Sequence, residues 1–203
     1  MNTEYIHKPI IVLDAGKVLV DFDLQILLND LSRRAGKEIG TDFSPGLKQL
    51  FSAVYTGERH PDDIRLAVNA ALHLSIKREE WSQLWCAIFT GEVPGMREAL
   101  SGLRQEFRFV ALSNTDGLHW AYLLETFPIF RLLEGWILSH EAGRAKPDPA
   151  VYRMLQHRYC NGHVPVYYTD DIPAYVDAAR RLGWRAEVFQ GADHFESQVS
   201  NLR

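Results

Sequence analysis

The run Ile10, Ile11, Val12 and Leu13 constrains the fold most: four apolar residues with no polar alternation, ending on Asp14. So short an unbroken run fits a central strand of a parallel sheet, covered on both faces. Gly16 and Lys17 follow, and Val18, Leu19 and Val20 resume the apolar pattern before any helical spacing begins, so the chain turns tightly just past Asp14. In open α/β sheets ligands bind outside the carboxyl ends of the strands, which makes Asp14 the first candidate for chemistry. The plainer role for such a residue is to cap a turn.

Beyond this strand, Asp21 or Asp23 is the expected cap of a helix whose apolar face is Leu24, Leu27, Leu28 and Leu31. Helical faces then recur: Leu47, Leu50, Phe51 and Val54; Ile64, Ala67, Val68, Ala71 and Leu72; Trp81, Leu84, Trp85, Ile88 and Phe89. Gly36, Pro45, Gly57, Pro61 and Gly91 punctuate them. The spacing predicts an all-helical insertion over 21–92, with no strand inside it.

From Pro94 onward strands and helices alternate. A helix is expected over 96–105 and a strand over 107–112 that ends in Ser113, Asn114 and Thr115. A helix over 118–126, a strand over 136–138 and a helix over 150–157 follow, the last with Pro149 at its start. The next strand, 164–168, ends in Thr169, Asp170 and Asp171; a helix over 173–182 is stopped by Gly183, and 186–189 forms a fifth strand. This alternation predicts an α/β fold, a Rossmann-like doubly wound parallel sheet with right-handed crossovers, built from 1–20 and 93–203, with the helical cap inserted at 21–92.

Composition narrows the function. With 22 Lys and Arg against 26 Asp and Glu, the net charge of −4 leaves no basic surplus for a nucleic-acid backbone. The first residues, MNTEYIHKP, carry no signal-peptide profile and no apolar run reaches the length of a membrane span, so a cytoplasmic protein without a membrane partner is expected. Cys86 and Cys160 are far apart and lack zinc-site spacing, which reads as two reduced thiols. The sequence does not fix an oligomeric state.

Three expected strands end in polar clusters, at Asp14, at Ser113 with Asn114, and at Asp170 with Asp171; Lys146 lies in a loop between the last two. Adjacent parallel strands would bring them to one crevice, and together they meet the needs of phosphoryl transfer. A carboxylate attacks phosphorus. A hard cation held by carboxylates neutralises charge. A hydroxyl, an amide and a lysine hold the remaining phosphate oxygens. Adjacent Asp170 and Asp171 repel each other unless a cation sits between them, although either could also cap the helix at Pro173.

The segments LDAGKVL, LSNTD, the lysine of AKPDP, and YTDD resemble, in order, the four motifs of the haloacid dehalogenase-like (HAD) hydrolases, with a helical cap after the first. LDAGKVLVDFD, LSNTDGLH and KPDPAVY look most like the sugar phosphatase branch that includes α-D-glucose-1-phosphate phosphatases. The resemblance implies that Asp14 is the nucleophile, that Lys146 balances charge, and that Ser113 and Asn114 bind phosphate. It implies Mg²⁺ held by Asp14, the Gly16 carbonyl, Asp171 directly, and Asp170 beside it or through water. The substrate it implies is a small phosphorylated metabolite.

Two positions depart from the pattern. Where the usual phosphatase carries a second Asp as general acid, this chain has Gly16, which cannot donate a proton. A sugar 1-phosphate, whose anomeric oxygen leaves more readily, suffers less from that loss. Tyr175 stands where relatives commonly carry Asn after the acidic pair. Dehalogenation of a 2-haloacid is the rival enzyme reading, because that branch also lacks the second Asp; a phosphate-binding relative with weak turnover is the third. His60, His73, His119, His140 and Arg59 are expected to be structural or solvated, and Trp81 and Trp85 to be cap core.

Overall fold

The computed structural model describes residues 8–202; residues 1–7, on which the expectation about a signal peptide falls, and Arg203 lie outside the described residues. The chain opens with β1 (Ile10–Leu13) and β2 (Val20–Phe22), then enters four helices, α1 (Leu24–Ala35), α2 (Pro45–Tyr55), α3 (Asp62–Leu72) and α4 (Arg78–Cys86). It returns through β3 (Phe89–Glu92), α5 (Met96–Leu103), β4 (Arg108–Ser113), α6 (Gly117–Thr126), β5 (Gly135–Leu138) and the single turn α7 (Ser139–Ala142). The remainder is α8 (Pro149–Tyr159), β6 (Tyr167–Asp170), α9 (Pro173–Arg181), β7 (Ala186–Val188) and α10 (Ala192–Ser200).

Five strands form one sheet in the order β5-β4-β1-β6-β7, every neighbouring pair parallel. The unbroken IIVL run has its physical reason here. Ile11 and Leu13 enter the core on one face, with Phe109, Ala111 and Tyr167, while Ile10 and Val12 enter the other, with Val110, Leu112 and Tyr168. A strand covered on both sides has no solvent face to carry polar residues. Among the described residues no helix is long and apolar enough to cross a membrane.

The cap has its own core, centred on Leu27, Leu31, Val54, Ile64, Trp81 and Trp85, and α1 begins at Asp23, whose carboxylate accepts from the Gln25 N–H. The segment is not wholly helical. β2 and β3 pair antiparallel where the chain leaves the sheet and where it comes back, so Ile88 and Phe89 belong to the return path and not to the face of α4. Both strands are shorter than the span over which alternation can be read, and Ile88 and Phe89 happened to continue the spacing of Trp81 and Trp85. β6 also begins later than expected and runs into the acidic pair, because Val164 is exposed and Pro165 has no N–H for the ladder. α10 went unread, although Ala192, Phe195 and Val199 sit on one face of it.

One ion cluster holds the cap together. Arg65 clasps Asp62 with two hydrogen bonds, of 2.6 and 2.9 Å, and donates a third to the Ile76 carbonyl, while Arg78 adds a bond to the same carboxylate. The Arg65 bonds hold the Asp62 carboxyl down at about 2, against its burial. A folded-state value below the unfolded one stabilises the fold above about pH 4, and the gain is lost as pH falls towards 2. Asp62→Asn is therefore expected to lower the urea midpoint at pH 7, with the gap from wild type closing between pH 4 and 2; a gap independent of pH would contradict this.

Candidate active site

Because β4, β1 and β6 run parallel side by side, their carboxyl ends open on one edge of the sheet, with β1 at the point where strand order reverses. Asp14 leaves β1 with its N–H bonded to the Thr169 carbonyl of β6 at 3.0 Å; Ser113 closes β4 and Asp170 closes β6. Lys146 reaches in from the loop before α8. Its ammonium lies 2.7 Å from Asp14 Oδ1 and 2.6 Å from Asp170 Oδ2, and the residue is 3% exposed.

The loop carrying Lys146 is fixed by Asn114. Its Oδ1 accepts from the Lys146 N–H at 2.7 Å, and its amide nitrogen donates to the Lys146 carbonyl at 2.9 Å and to the Tyr175 hydroxyl at 3.2 Å. Both amide donors are thereby spent, so the Asn114 side chain positions Lys146 and has no N–H left for a phosphate. The Ser113 hydroxyl has no such bond among the described residues. Tyr175, where relatives commonly carry Asn, joins this support: its hydroxyl accepts from the Asn114 amide and its ring lies 5.1 Å from the Lys146 ammonium.

Asp170 is fully buried; one oxygen meets Lys146 and the Tyr168 hydroxyl, and the other accepts from the Ile172 N–H. Tyr168 was not singled out from the sequence, although strand alternation sets it on the same face as Asp170. Carboxylate oxygens of Asp14, Asp170 and Asp171 lie within 4.8 Å of one another. Burial, with the charge of Asp170 added, outweighs Lys146 and raises the Asp14 pKa to about 7; burial and Asp170 likewise raise Asp171. For Lys146 burial acts downwards, but Asp14 and Asp170 overcome it and hold its pKa above the ordinary lysine value. Three crowded acids with one ammonium leave an excess of negative charge that fits a divalent cation. The bonds that close the turn run from the Lys17 N–H to Val20 O and from the Val20 N–H to Ala15 O, leaving the Gly16 carbonyl out of them.

Gly16 is also where a ring intrudes. A Cβ there would come within 3.0 Å of the Phe22 ring, so β2 fills the room a longer residue would need. Beside Gly16 lies a cavity of about 100 Å³, walled by Phe22, Ile88, Phe89 and Leu123 and reached by Tyr55, Ser113 and Asn114. Larger clefts, of about 430 Å³ between the Gly57–Pro61 loop and α6 and about 300 Å³ beside β5, lie away from it; Asp14, Asp170 and Asp171 line none of the three, and only the cavity beside Gly16 includes the neighbours of Asp14, Ala15 and Gly16, among its walls.

No family model matches the sequence. Solved structures do match. A HAD family enzyme from Bacteroides thetaiotaomicron aligns over 95% of this chain and 98% of its own, with a TM-score of 0.82 and 19% identity. The chain has the haloacid dehalogenase-like fold. A predicted HAD-like family hydrolase from Porphyromonas gingivalis aligns over 96% of this chain and 97% of its own (TM-score 0.78, 17% identity), and an L-2-haloacid dehalogenase over 96% and 99% (TM-score 0.71, 14% identity). The Bacteroides enzyme has also been crystallised with magnesium and inorganic phosphate; that structure aligns over 91% of this chain and 95% of its own, at 20% identity and a TM-score of 0.75.

Within this HAD-like fold the histidines take structural places. His119 is buried, stacked on Trp85 with ring centroids 4.8 Å apart, and its nitrogens face the Asp116 carboxylate at 3.2 Å and the Trp85 carbonyl at 2.9 Å. Burial keeps its pKa below the ordinary histidine value despite Asp116. His140 meets the Thr115 carbonyl, His60 accepts from the Asp62 N–H, His73 ends α3, and Arg59 pairs with Asp63. Both cysteines are free, and burial raises each to about 11.

Asp116, unremarked in the sequence, binds cap to core. One oxygen caps α6 by accepting from the Leu118 and His119 N–H groups; the other accepts from the Trp85 indole at 2.9 Å. Asp116→Ala removes a helix cap and strands a buried indole N–H, an expected loss of about 2–4 kcal/mol in urea denaturation. A loss under about 0.5 kcal/mol would contradict this role.

Proposed function

We propose that this chain is a Mg²⁺-dependent phosphatase that hydrolyses a small phosphorylated metabolite through an aspartyl phosphate on Asp14. The observation that carries the reading is the buried Lys146 ammonium between Asp14 and Asp170, with Asp171 completing a three-carboxylate cluster. The magnesium and phosphate bound by the Bacteroides enzyme of the same fold support it.

Asp14 attacks phosphorus, the P–O bond to the leaving group breaks, and water then attacks phosphorus to restore the carboxylate. Lys146 keeps Asp14 oriented and lowers the cost of its negative charge. The Ser113 hydroxyl donates to a phosphate oxygen, and Asn114 fixes the Lys146 loop. Asp14, the Gly16 carbonyl, Asp171 directly, and Asp170 beside it or through water would hold Mg²⁺, which when bound neutralises charge on the transferred group. The cap, clamped through Asp116, excludes bulk water. Since Gly16 supplies no proton to a poor leaving group, the finer reading is a substrate whose leaving group departs readily, and a sugar 1-phosphate is one such class.

Dehalogenation of a 2-haloacid is the second reading, favoured by the likeness to a haloacid dehalogenase. The acidic cluster weighs against it, because ester formation at carbon needs no metal. Phosphate release from paired sugar 1-phosphates and 6-phosphates, with Mg²⁺ or EDTA, tests the proposal. The expected result is turnover that requires Mg²⁺ and falls at least about 10³-fold in Asp14→Asn. Halide release in EDTA would favour the dehalogenase, and ester binding without turnover a phosphate-binding protein.

A further inference from the structure

The polar groups around the cavity beside Gly16 are almost all committed. The Asn114 amide is spent on Lys146 and Tyr175, the His119 ring faces Asp116 and Trp85, and the Thr115 hydroxyl faces the Asp116 carbonyl. Ser113 belongs to the phosphate. What remains is one hydroxyl, that of Tyr55, the last residue of α2, which has no hydrogen bond among the described residues. Its place is fixed two residues later. Gly57 (φ 74°) lies so close to the core that a Cβ there would come 2.1 Å from the His140 carbonyl oxygen, which seats the end of α2 against α7.

Two consequences bear on the leaving group. The first is size and polarity: at about 100 Å³ the cavity is smaller than the clefts of about 430 and 300 Å³, and its walls are Phe22, Ile88, Phe89 and Leu123. Hexose hydroxyls set against these walls would find a single uncommitted side-chain partner, and each one buried without a partner is costly. The second is protonation. Gly16 has no proton to give, Phe22 closes the space beside it, and burial holds the Tyr55 phenol above its ordinary value, with Asp116 and Tyr175 adding to the effect. Tyr55 can donate a hydrogen bond at neutral pH but is a weak proton donor.

Resting on the phosphatase reading, we infer that the substrate is a short-chain acyl phosphate, whose carboxylate leaves without a proton, and that Tyr55 donates a hydrogen bond to the departing oxygen. The electron balance is complete without an acid. Asp14 forms a bond to phosphorus as the phosphorus–acyl oxygen bond breaks, and that electron pair leaves on the carboxylate. Water then forms a bond to phosphorus, the bond to Asp14 breaks and returns its pair to the Asp14 carboxylate, and the water proton passes to phosphate or solvent.

The test is kcat/KM with Mg²⁺ for acetyl phosphate, phenyl phosphate, ethyl phosphate and glucose 1-phosphate, corrected for spontaneous hydrolysis, in wild type, Asp14→Asn and Tyr55→Phe. Acetyl phosphate is expected to exceed the size-matched ethyl phosphate by at least about 10²-fold, the reach of general acid catalysis, and to exceed glucose 1-phosphate. Tyr55→Phe is expected to lose about tenfold, and to lose more on ethyl than on acetyl phosphate, a steepening that a merely structural change would not produce. Ethyl phosphate or glucose 1-phosphate turned over as well as acetyl phosphate would overturn the inference and leave the phosphatase standing. An equal loss on every substrate in Tyr55→Phe would overturn the role of Tyr55. Absence of Asp14-dependent turnover on all four would overturn the phosphatase reading and this inference together.

Discussion

One ammonium shared between two buried carboxylates organises the crevice. Lys146 bonds to Asp14 and to Asp170 from a loop far from Asp14 in sequence, and its charge works against the burial that pushes the Asp14 pKa up. Removing one member of such a cluster leaves an uncompensated charge, so the surroundings are built to hold all three. Asn114 spends its side chain on the Lys146 loop, Tyr175 lies under the ammonium, and Tyr168 and the Ile172 N–H hold Asp170. The sheet order, with β1 between β4 and β6, lets three separate stretches of sequence supply these groups at one edge.

The cap completes the site by what it withholds. It brings Phe22 against Gly16 and two more apolar walls, Ile88 and Phe89, around a small cavity that Leu123 of the core completes, and contributes one uncommitted hydroxyl. Its attachment to the core is polar and buried, through Asp116 and the Trp85 indole, with His119 stacked between helices. Catalytic power in such a crevice comes from fixed charge and excluded water, so the limits on chemistry are set by which donors are absent as much as by those present.

Much of this was legible in the sequence. A four-residue apolar run ending in Asp14 is unambiguous because a strand buried on both faces has no polar positions, and the later alternation of strands and helices gave the doubly wound sheet. The polar strand ends followed from the same logic. Three things were less legible. β2 and β3 are too short to show a period, and Ile88 and Phe89 mimicked a helical face. The commitment of the Asn114 side chain depends on where the Lys146 loop comes to rest, which no local pattern records. Tyr55 and Phe22 matter only because the cap folds back on Gly16, a contact between segments whose spacing carries no signature.

The most direct test of the central claim is mass spectrometry of the peptide spanning 9–17 after acid quenching during turnover of p-nitrophenyl phosphate with Mg²⁺. A phosphoryl group on Asp14, absent in EDTA and absent in Asp14→Asn, is the expected result. Metal-dependent turnover with that peptide unmodified at every quench time and the phosphoryl group on another residue would contradict the account.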